Sequence, residues 1–132
     1  MELNKDKVFY TWREFDEDCE RIAAWAKGKN FLNIYGIPRG GLVVAVRLSH
    51  FTGMSIVLNP LEITKSTLVV DDISDSGKTL SSLRKDASVL AAIATVFWNK
   101  ESPQPDFWCR EKNGWVVFPW ETEVSSKYDF TT

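Results

Sequence analysis

The chain has 132 residues, of which 44% are hydrophobic, 26% charged and 13% aromatic. This composition is that of one compact globular domain, and it excludes a disordered or fibrous chain. Sixteen Lys and Arg side chains against 18 Asp and Glu side chains leave a formal net charge of −2. The chain therefore lacks the overall positive charge that attracts nucleic acid or an anionic membrane surface. A site for an anion has to depend on a few local groups.

The cysteines and the apolar runs predict a cytoplasmic protein. Cys19 and Cys109 have no CxxC spacing, and the single histidine, His50, leaves no Cys/His metal site to assemble. Two reduced thiols are what a reducing compartment favours. The longest nearly apolar run, residues 89–98, is shorter than the ~20 residues that span a bilayer, and no signal-peptide pattern opens the chain.

The first half of the chain predicts helix, strand and helix. Residues 11–14, Thr-Trp-Arg-Glu, fit a capping box, and apolar residues follow at helical spacing until Gly28. Residues 31–35 are a short predicted strand. Residues 42–51 resume a helical pattern that Gly53 closes, with His50 expected as a partly exposed surface residue.

The second half predicts further strands around one more helix. Residues 55–58 and 67–70 have strand patterns, and residues 80–87 have a helical pattern. Residues 89–98 lack a polar face and are rich in apolar residues, which favours a strand buried on both sides, with a buried helix as the alternative. The order of elements predicts an α/β fold with a central parallel sheet flanked by helices.

Two adjacent carboxylates, Asp71 and Asp72, follow the predicted strand 67–70, and a loop of small residues then opens a helix. In an open α/β sheet, ligands bind beyond the carboxyl ends of the strands, where a helix N-terminus offers unpaired amides to a phosphate. Those amides and the hydroxyls of Ser76 and Thr79 suit a phosphate. The two carboxylates suit the vicinal hydroxyls of a sugar, or Mg²⁺ bound directly or through water.

The nearest alternative is a P-loop, because Gly77-Lys78-Thr79 matches the last three residues of that motif. The P-loop needs a glycine at position 72, and Asp72 stands there instead. A carboxylate inside a phosphate cradle repels the ligand. The other alternative is a turn with solvated acids and a helix cap.

Residues 68–80 resemble the phosphoribosyl pyrophosphate (PRPP) motif of type I phosphoribosyltransferases. The resemblance implies that the ribose hydroxyls and the 5′-phosphate bind to Asp71, Asp72, Ser76, Gly77, Lys78 and Thr79. It implies Mg²⁺ at Asp71 and Asp72. Asp75 matches the position proposed, in purine-specific members, to act as acid or base at N7 of the base.

Residues 36–42, Gly-Ile-Pro-Arg-Gly-Gly-Leu, are similar to the pyrophosphate-binding loop of the same family. The resemblance assigns pyrophosphate to Pro38, Arg39, Gly40 and Gly41, with Arg39 as a catalytic cation. The glycines let backbone amides approach the oxygens closely. The family often has a cis peptide here, which we expect between Arg39 and Gly40. Taken alone, this loop is also compatible with a simple turn before a helix.

Residues 114–121 resemble the end of small microbial xanthine-guanine and hypoxanthine phosphoribosyltransferases. The resemblance implies that Trp115 stacks on the purine and that the backbone around Val116 reads its edge. The alternative for Trp115 is core or dimer packing. A lysine that reads the base in these relatives aligns with Asn99 or Lys100, and Lys100 is equally compatible with a solvated loop.

The resemblance implies one domain over residues 1–132. Its core would span residues 31–98, a hood would form from residues 1–30 and 99–121, and residues 122–132 would be a mobile tail. The relatives also imply a homodimer or homotetramer whose partners are small substrates, without nucleic acid or membrane.

The sequence therefore predicts a Mg²⁺-dependent enzyme of purine salvage, which transfers the phosphoribosyl group of PRPP to guanine, xanthine or hypoxanthine. One feature favours an alternative. Only seventeen residues connect Gly53 to Asp71, where relatives have a long flexible loop that covers the reacting centre. A shortened lid predicts slow turnover, or a regulatory protein that binds PRPP or a nucleotide with little or no catalysis.

Overall fold

The computed structural model describes residues 7–74 and 91–122. The described elements are β1 (Lys7–Phe9), α1 (Trp12–Ala26), β2 (Asn33–Gly36), α2 (Gly40–Thr52), β3 (Ser55–Val57), a 3₁₀ turn (Pro60–Glu62), β4 (Thr67–Ser74), β5 (Ala92–Trp98), β6 (Phe107–Glu111) and β7 (Trp115–Val117). The predicted helix 80–87 and the predicted tail, apart from residue 122, lie outside these residues. Neither α1 nor α2 combines the length and the apolar character that a bilayer-spanning helix requires.

Five of the strands form one parallel sheet in the order β3-β2-β4-β5-β6. The predicted α/β class and parallel core are confirmed. Residues 92–98 are strand and not helix, which settles the alternative left open for this segment. β4 and β5 lie inside the sheet, and most of their apolar residues are buried, as expected for a strand covered on both faces.

The capping box predicted at the start of α1 is present. The Glu14 amide donates to Thr11 Oγ1 at 3.1 Å, and the Thr11 amide donates to Glu14 Oε1 at 3.0 Å. The buried face of α1 and the buried residues of α2 pack against β2, β4 and β5 to form the larger core cluster. α2 ends at Gly53, whose φ of 77° is the left-handed conformation that glycine adopts without a Cβ clash. His50 lies exposed in the last turn of α2.

Strand β6 extends the main sheet beyond residue 98, where the sequence placed the end of the core. It pairs with β5 in the register Ala94↔Phe107 and Trp98↔Glu111. Phe107 stacks on Trp25 of α1 with ring centroids 5.1 Å apart, so burial of this ring against α1 holds β6 at the edge of the sheet. Residues 107–111 therefore belong to the same sheet as residues 92–98.

Strands β1 and β7 form a separate small sheet. The two strands are parallel and pair as Lys7↔Trp115, Val8↔Val116 and Phe9↔Val117. Each strand has only three residues, which is too short for a hydrophobic period to show in the sequence.

Candidate functional site

The two loops singled out by the sequence meet at the carboxyl edge of the main sheet. β2 and β4 are neighbours, and Gly36 pairs with Val70, the residue before Asp71. The Ile37 amide then donates to the Val70 carbonyl oxygen at 2.9 Å. The turn from β2 into α2 is thus fastened to β4 at the point where the two carboxylates begin.

The glycines of this turn contact the carboxylate segment directly. A Cβ on Gly40 would collide with the side-chain carboxylate of Asp72. A Cβ on Gly41 would lie 2.6 Å from the Val70 carbonyl oxygen and 3.3 Å from Asp71 Oδ1. Gly41 requires glycine because a Cβ would overlap the backbone of β4, and a Cβ on Gly40 would require the Asp72 carboxylate to move.

Asp71 and Asp72 are buried on β4, with relative exposures of 4% and 2%. The sequence ended this strand at residue 70, but the structure continues it to Ser74 because Asp71, Ile73 and Ser74 still pair with β5. Asp71 Oδ1 accepts a hydrogen bond from the Asp72 amide at 2.8 Å. In α/β sheets, ligands bind beyond the carboxyl ends of the strands, so this pair lies where a ligand is expected.

The donor set at β4 fits Mg²⁺. Carboxylate oxygens are the ligands that Mg²⁺ takes from proteins, usually one or two of them, with substrate oxygens and water completing the shell. Within residues 7–74 and 91–122, no group of three or more His, Cys, Asp or Glu side chains clusters as a self-sufficient metal site. A magnesium ion held by Asp71 and Asp72 would have further coordination positions for other oxygen ligands.

The cis peptide bond of this turn joins Pro38 to Arg39, and not Arg39 to Gly40 as the sequence analysis expected. Arg39 already has α-helical dihedral angles (φ −93°, ψ −39°) as the residue that precedes α2, so the Arg39–Gly40 peptide belongs to the helix entry. The Arg39 side chain is exposed. It lies at the N-terminal, electropositive end of α2, where an anion is favoured.

The remainder of the PRPP-like motif lies outside the described residues. The roles predicted for Asp75, Ser76, Gly77, Lys78 and Thr79 therefore stay predictions.

The candidates for reading the base lie in a turn that follows β5. The Asn99 amide donates to the Ser74 carbonyl oxygen at 2.9 Å, which fixes Asn99 beside the end of β4. Asn99 Oδ1 accepts from the Glu101 amide at 3.1 Å. Lys100 is exposed, and its Nζ lies 3.9 Å from Glu111 Oε1. Asn99 is thus bonded to the last residue of β4, whereas the Lys100 side chain extends towards Glu111 on β6. The assignment of either residue to a base stays a prediction.

Trp115 and Val116 lie on β7 and point to opposite faces of the small sheet. Val116 is buried in the main core cluster, whereas Trp115 is 48% exposed. Of the two alternatives for Trp115, core packing does not agree with this exposure, and dimer packing stays an alternative. An exposed indole is available for stacking on a ring.

The structure adds one residue that the sequence analysis missed. Lys112 Nζ lies 5.8 Å from the centroid of the Trp115 ring. The Lys112 amide donates to the Trp98 carbonyl oxygen at 2.8 Å, next to Asn99. Spacing along the chain could not reveal this lysine, because it reaches the end of β5 only through the pairing of β5 with β6.

Comparison with known proteins gives relatives in sequence and in fold. No protein-family model matches the chain. The chain is 27% identical to a xanthine-guanine phosphoribosyltransferase of Gluconobacter oxydans, over 85% of this chain and 83% of that protein. Its fold is similar to that of a purine phosphoribosyltransferase from Pyrococcus horikoshii, with a TM-score of 0.78, 29% identity, and coverage of 89% of this chain and 95% of that one.

A second solved structure supports the same fold. The xanthine-guanine-hypoxanthine phosphoribosyltransferase of Helicobacter pylori superimposes with a TM-score of 0.77 at 20% identity, over 92% of this chain and 97% of that one. The resemblance predicted from the two loops and the C-terminal segment is confirmed.

Proposed function

Since this chain is related in sequence and in fold to type I phosphoribosyltransferases, we propose that it is a purine phosphoribosyltransferase. It transfers the 5-phosphoribosyl group of PRPP to a nitrogen of guanine, xanthine or hypoxanthine, which yields a nucleoside monophosphate and pyrophosphate. The observation that carries the proposal is the contact of the Gly40–Gly41 turn with the buried carboxylates Asp71 and Asp72. The names of the relatives supply the substrate class.

In the proposed reaction, the bond from the ribose C1′ to the pyrophosphate oxygen breaks and a bond from the purine nitrogen to C1′ forms. Positive charge develops on the ribose ring while negative charge grows on the pyrophosphate. Asp71 and Asp72 hold the ribose hydroxyls beside the ring, and their negative charge favours its cationic character. Arg39 and the N-terminal end of α2 face the leaving group. Asp75 acts as acid or base at N7 and takes up the proton that the purine releases as the new bond forms.

We propose Mg²⁺ as the cofactor, held by Asp71 and Asp72. When bound, the ion supplies positive charge to the pyrophosphate oxygens. The two carboxylates and the close approach of Gly40 to Asp72 support this assignment.

The base would bind between the end of β5 and the small sheet. Trp115 offers a ring for stacking, and the backbone at Val116 offers donors and acceptors to the edge of the purine. Asn99 has an amide that both donates and accepts. Lys112 adds an ammonium group that only donates, so it favours a base with carbonyl oxygens over one with an amino group.

We further propose a cytoplasmic homodimer or homotetramer. Both cysteines are free and buried, as in proteins of a reducing compartment. Several large apolar side chains are more than half exposed and offer apolar surface to a second chain: Phe9, Trp12, Leu32, Leu58 and Leu61.

One observation favours the regulatory alternative. The connection from β3 to β4 is a compact turn, in which the Leu61 amide donates to Asn59 Oδ1 at 3.0 Å and the Thr64 amide to Thr67 Oγ1 at 2.9 Å. Ile63 anchors the turn in a smaller cluster of buried residues, which also contains Tyr35, Ile37, Val69 and Ile93. A turn fixed in this way does not close over a substrate as a long loop does.

The test is nucleotide formation by the purified protein from PRPP and Mg²⁺, with guanine, hypoxanthine, xanthine or adenine supplied separately. Chromatography of the nucleotide, together with pyrophosphate release, measures the reaction. We expect product with at least one oxo-purine. PRPP binding without product from any of the four bases would contradict the enzyme and support the regulator.

A further inference from the structure

Asp18 is a buried charged side chain that the proposed reaction does not use. Its relative exposure is 1%, and it lies on the face of α1 that packs against the core. Asp18 Oδ2 accepts hydrogen bonds from the Tyr10 hydroxyl at 2.5 Å and from Arg110 Nε at 2.6 Å. A buried carboxylate is tolerated only when donors surround it, and here the two short bonds come from two different parts of the fold.

Tyr10 connects this carboxylate to the small sheet. Tyr10 follows β1 directly, and its amide donates to the Val117 carbonyl oxygen of β7 at 3.0 Å. Its ring makes edge contacts with Phe97 of β5 at 5.0 Å and with Phe118 at 5.8 Å. One side chain therefore touches the main sheet, α1 and the residue after β7.

Arg110 connects the same carboxylate to the edge of the main sheet. It lies on β6, and its Nη1 also reaches Glu14 Oε2 at 3.3 Å. Its guanidinium carbon lies 5.5 Å from the centroid of the Tyr10 ring. Two residues further on, the Lys112 amide binds the end of β5, and Trp115 follows. Arg110 thus fixes the chain before Trp115, and Tyr10 fixes the chain after it.

The small sheet cannot set its own orientation. Two strands of three residues are too small to be stable alone, and of the β7 residues only Val116 is buried in the core. Its position must come from contacts outside the sheet. Burial, followed by the hydrogen bond to Asp18, raises the pKa of Tyr10, so its hydroxyl remains a donor at physiological pH.

We propose that Tyr10, Asp18 and Arg110 are positioning residues that hold Trp115 in place and so determine the affinity for the purine base. The inference rests on the proposed function for its substrate, since Trp115 is the platform assigned to the base. The three residues act through the placement of β7 and touch no substrate.

The chain provides a matched control on the same helix. Asp16 lies two residues before Asp18 and accepts from Arg47 Nε at 2.7 Å, so it forms an ion pair of similar length that is more exposed than the one at Asp18. That pair joins α1 to α2 and makes no recorded contact with the small sheet among the described residues. Asp16→Asn and Asp18→Asn therefore remove similar charges, but only Asp18→Asn releases the chain around Trp115.

The experiment compares Tyr10→Phe, Asp18→Asn and Asp16→Asn in steady-state kinetics. Tyr10→Phe keeps the ring contacts and removes only the hydroxyl, so it remains informative if Asp18→Asn does not fold. We expect Tyr10→Phe to raise KM for the base about fivefold while KM for PRPP stays within twofold, and Asp16→Asn to change neither. Equal rises in both KM values, or an unchanged KM for the base in Tyr10→Phe, would overturn the proposal.

A second measurement separates this proposal from the proposed function. The indole N–H resonance of Trp115, assigned by its loss in Trp115→Phe, is recorded without ligand. We expect the resonance to shift in Tyr10→Phe and to stay in place in Asp16→Asn, whether or not the protein transfers a phosphoribosyl group. An active wild type whose Trp115 resonance does not respond to Tyr10→Phe would overturn the positioning role alone. An inactive wild type with the expected shift would overturn the proposed function alone.

Discussion

The main sheet and the small sheet differ in what holds them together. β4 and β5 have eight and seven residues, and their apolar side chains are buried under helices and loops. β1 and β7 have three residues each and depend on Tyr10, Arg110 and Lys112 for their attachment. The carboxylates proposed for the ribose and Mg²⁺ lie on the first sheet, and the aromatic platform proposed for the base lies on the second. The groups proposed to stabilise charge thus lie on a long, buried strand, and the proposed base platform lies on a short strand with a half-exposed ring.

The largest effect is expected when the packing of the turn between β2 and α2 against β4 is disturbed. In Gly40→Ala, the new Cβ has to displace the carboxylate of Asp72, so we expect kcat/KM to fall about a hundredfold, which is ~2.7 kcal/mol. Gly28→Ala is the control, because its Cβ would meet nothing within 4 Å while its φ of 84° still strains an alanine. A Gly40→Ala enzyme with the kinetics of Gly28→Ala would show that the contact with Asp72 is not needed.

The next effect concerns charge on the main sheet. Asp72→Asn removes a carboxylate from the carboxyl edge, and we expect kcat/KM to fall roughly thirtyfold, with a higher Mg²⁺ concentration for half-maximal rate. Asp106→Asn is the control. Asp106 Oδ2 accepts from the Ile93 amide at 2.8 Å, near the start of β5 and at the opposite edge of the sheet. Equal Mg²⁺ requirements in Asp72→Asn and in the wild type would contradict a metal at this carboxylate.

The third prediction concerns the recognition of the base beside the small sheet, where Lys112 lies near Trp115. Lys112→Met removes the ammonium near Trp115, and we expect KM for an oxo-purine to rise about fivefold, or ~1 kcal/mol, while KM for PRPP is unchanged. Lys100→Met is the matched control, since Lys100 faces Glu111. If Lys100→Met raises KM for the base and Lys112→Met does not, the base is read from the turn after β5, as the sequence alone predicted.

The smallest effect is a pH dependence of stability where the two sheets join. Burial raises the pKa of Cys109 from 9.0 to about 12, and it also raises the pKa values of Cys19 and Tyr10. A group whose pKa is higher in the folded state than in the unfolded state contributes its full stabilisation of the fold at pH values below its unfolded pKa. That contribution is lost as the pH rises, because the unfolded chain releases these protons first.

Urea unfolding at pH 7.5, 9 and 10.5 measures this loss. We expect the free energy of unfolding of the wild type to decrease from pH 9 upwards. We expect a less steep decrease of the same quantity in Cys109→Ala. Parallel slopes in the two proteins would show that Cys109 does not contribute to the alkaline loss.

Local signals predicted much of the main sheet. The capping box at Thr11, the glycine that ends α2, and the buried apolar strands all depend on residues close together in the chain. The two loops were also visible in this way, since each combines glycines and charges at the end of a strand. Their contact could be expected because carboxyl ends of parallel strands share one edge.

Non-local packing decided what the sequence analysis missed or placed wrongly. β4 continues through Asp71 because β5 pairs with it, although two adjacent acids are unfavourable in an isolated strand. β6 belongs to the main sheet through its pairing with β5, where Phe107 packs on Trp25. Asp18 carried one usable signal, because it lies three residues after Phe15 and four before Ile22, on the apolar face of α1.

The sequence by itself determined the α/β class, the two loops and the family they resemble, because each depends on short segments with strong periodicity, turn chemistry or motif spacing. Only the tertiary structure decided the partner strands of β6 and β7, the hydrogen bond of Lys112 to Trp98 at the end of β5 and the hydrogen bond of Arg110 to Asp18. These contacts join residues that are distant in the chain, and their formation depends on the burial of whole faces, which no local pattern encodes.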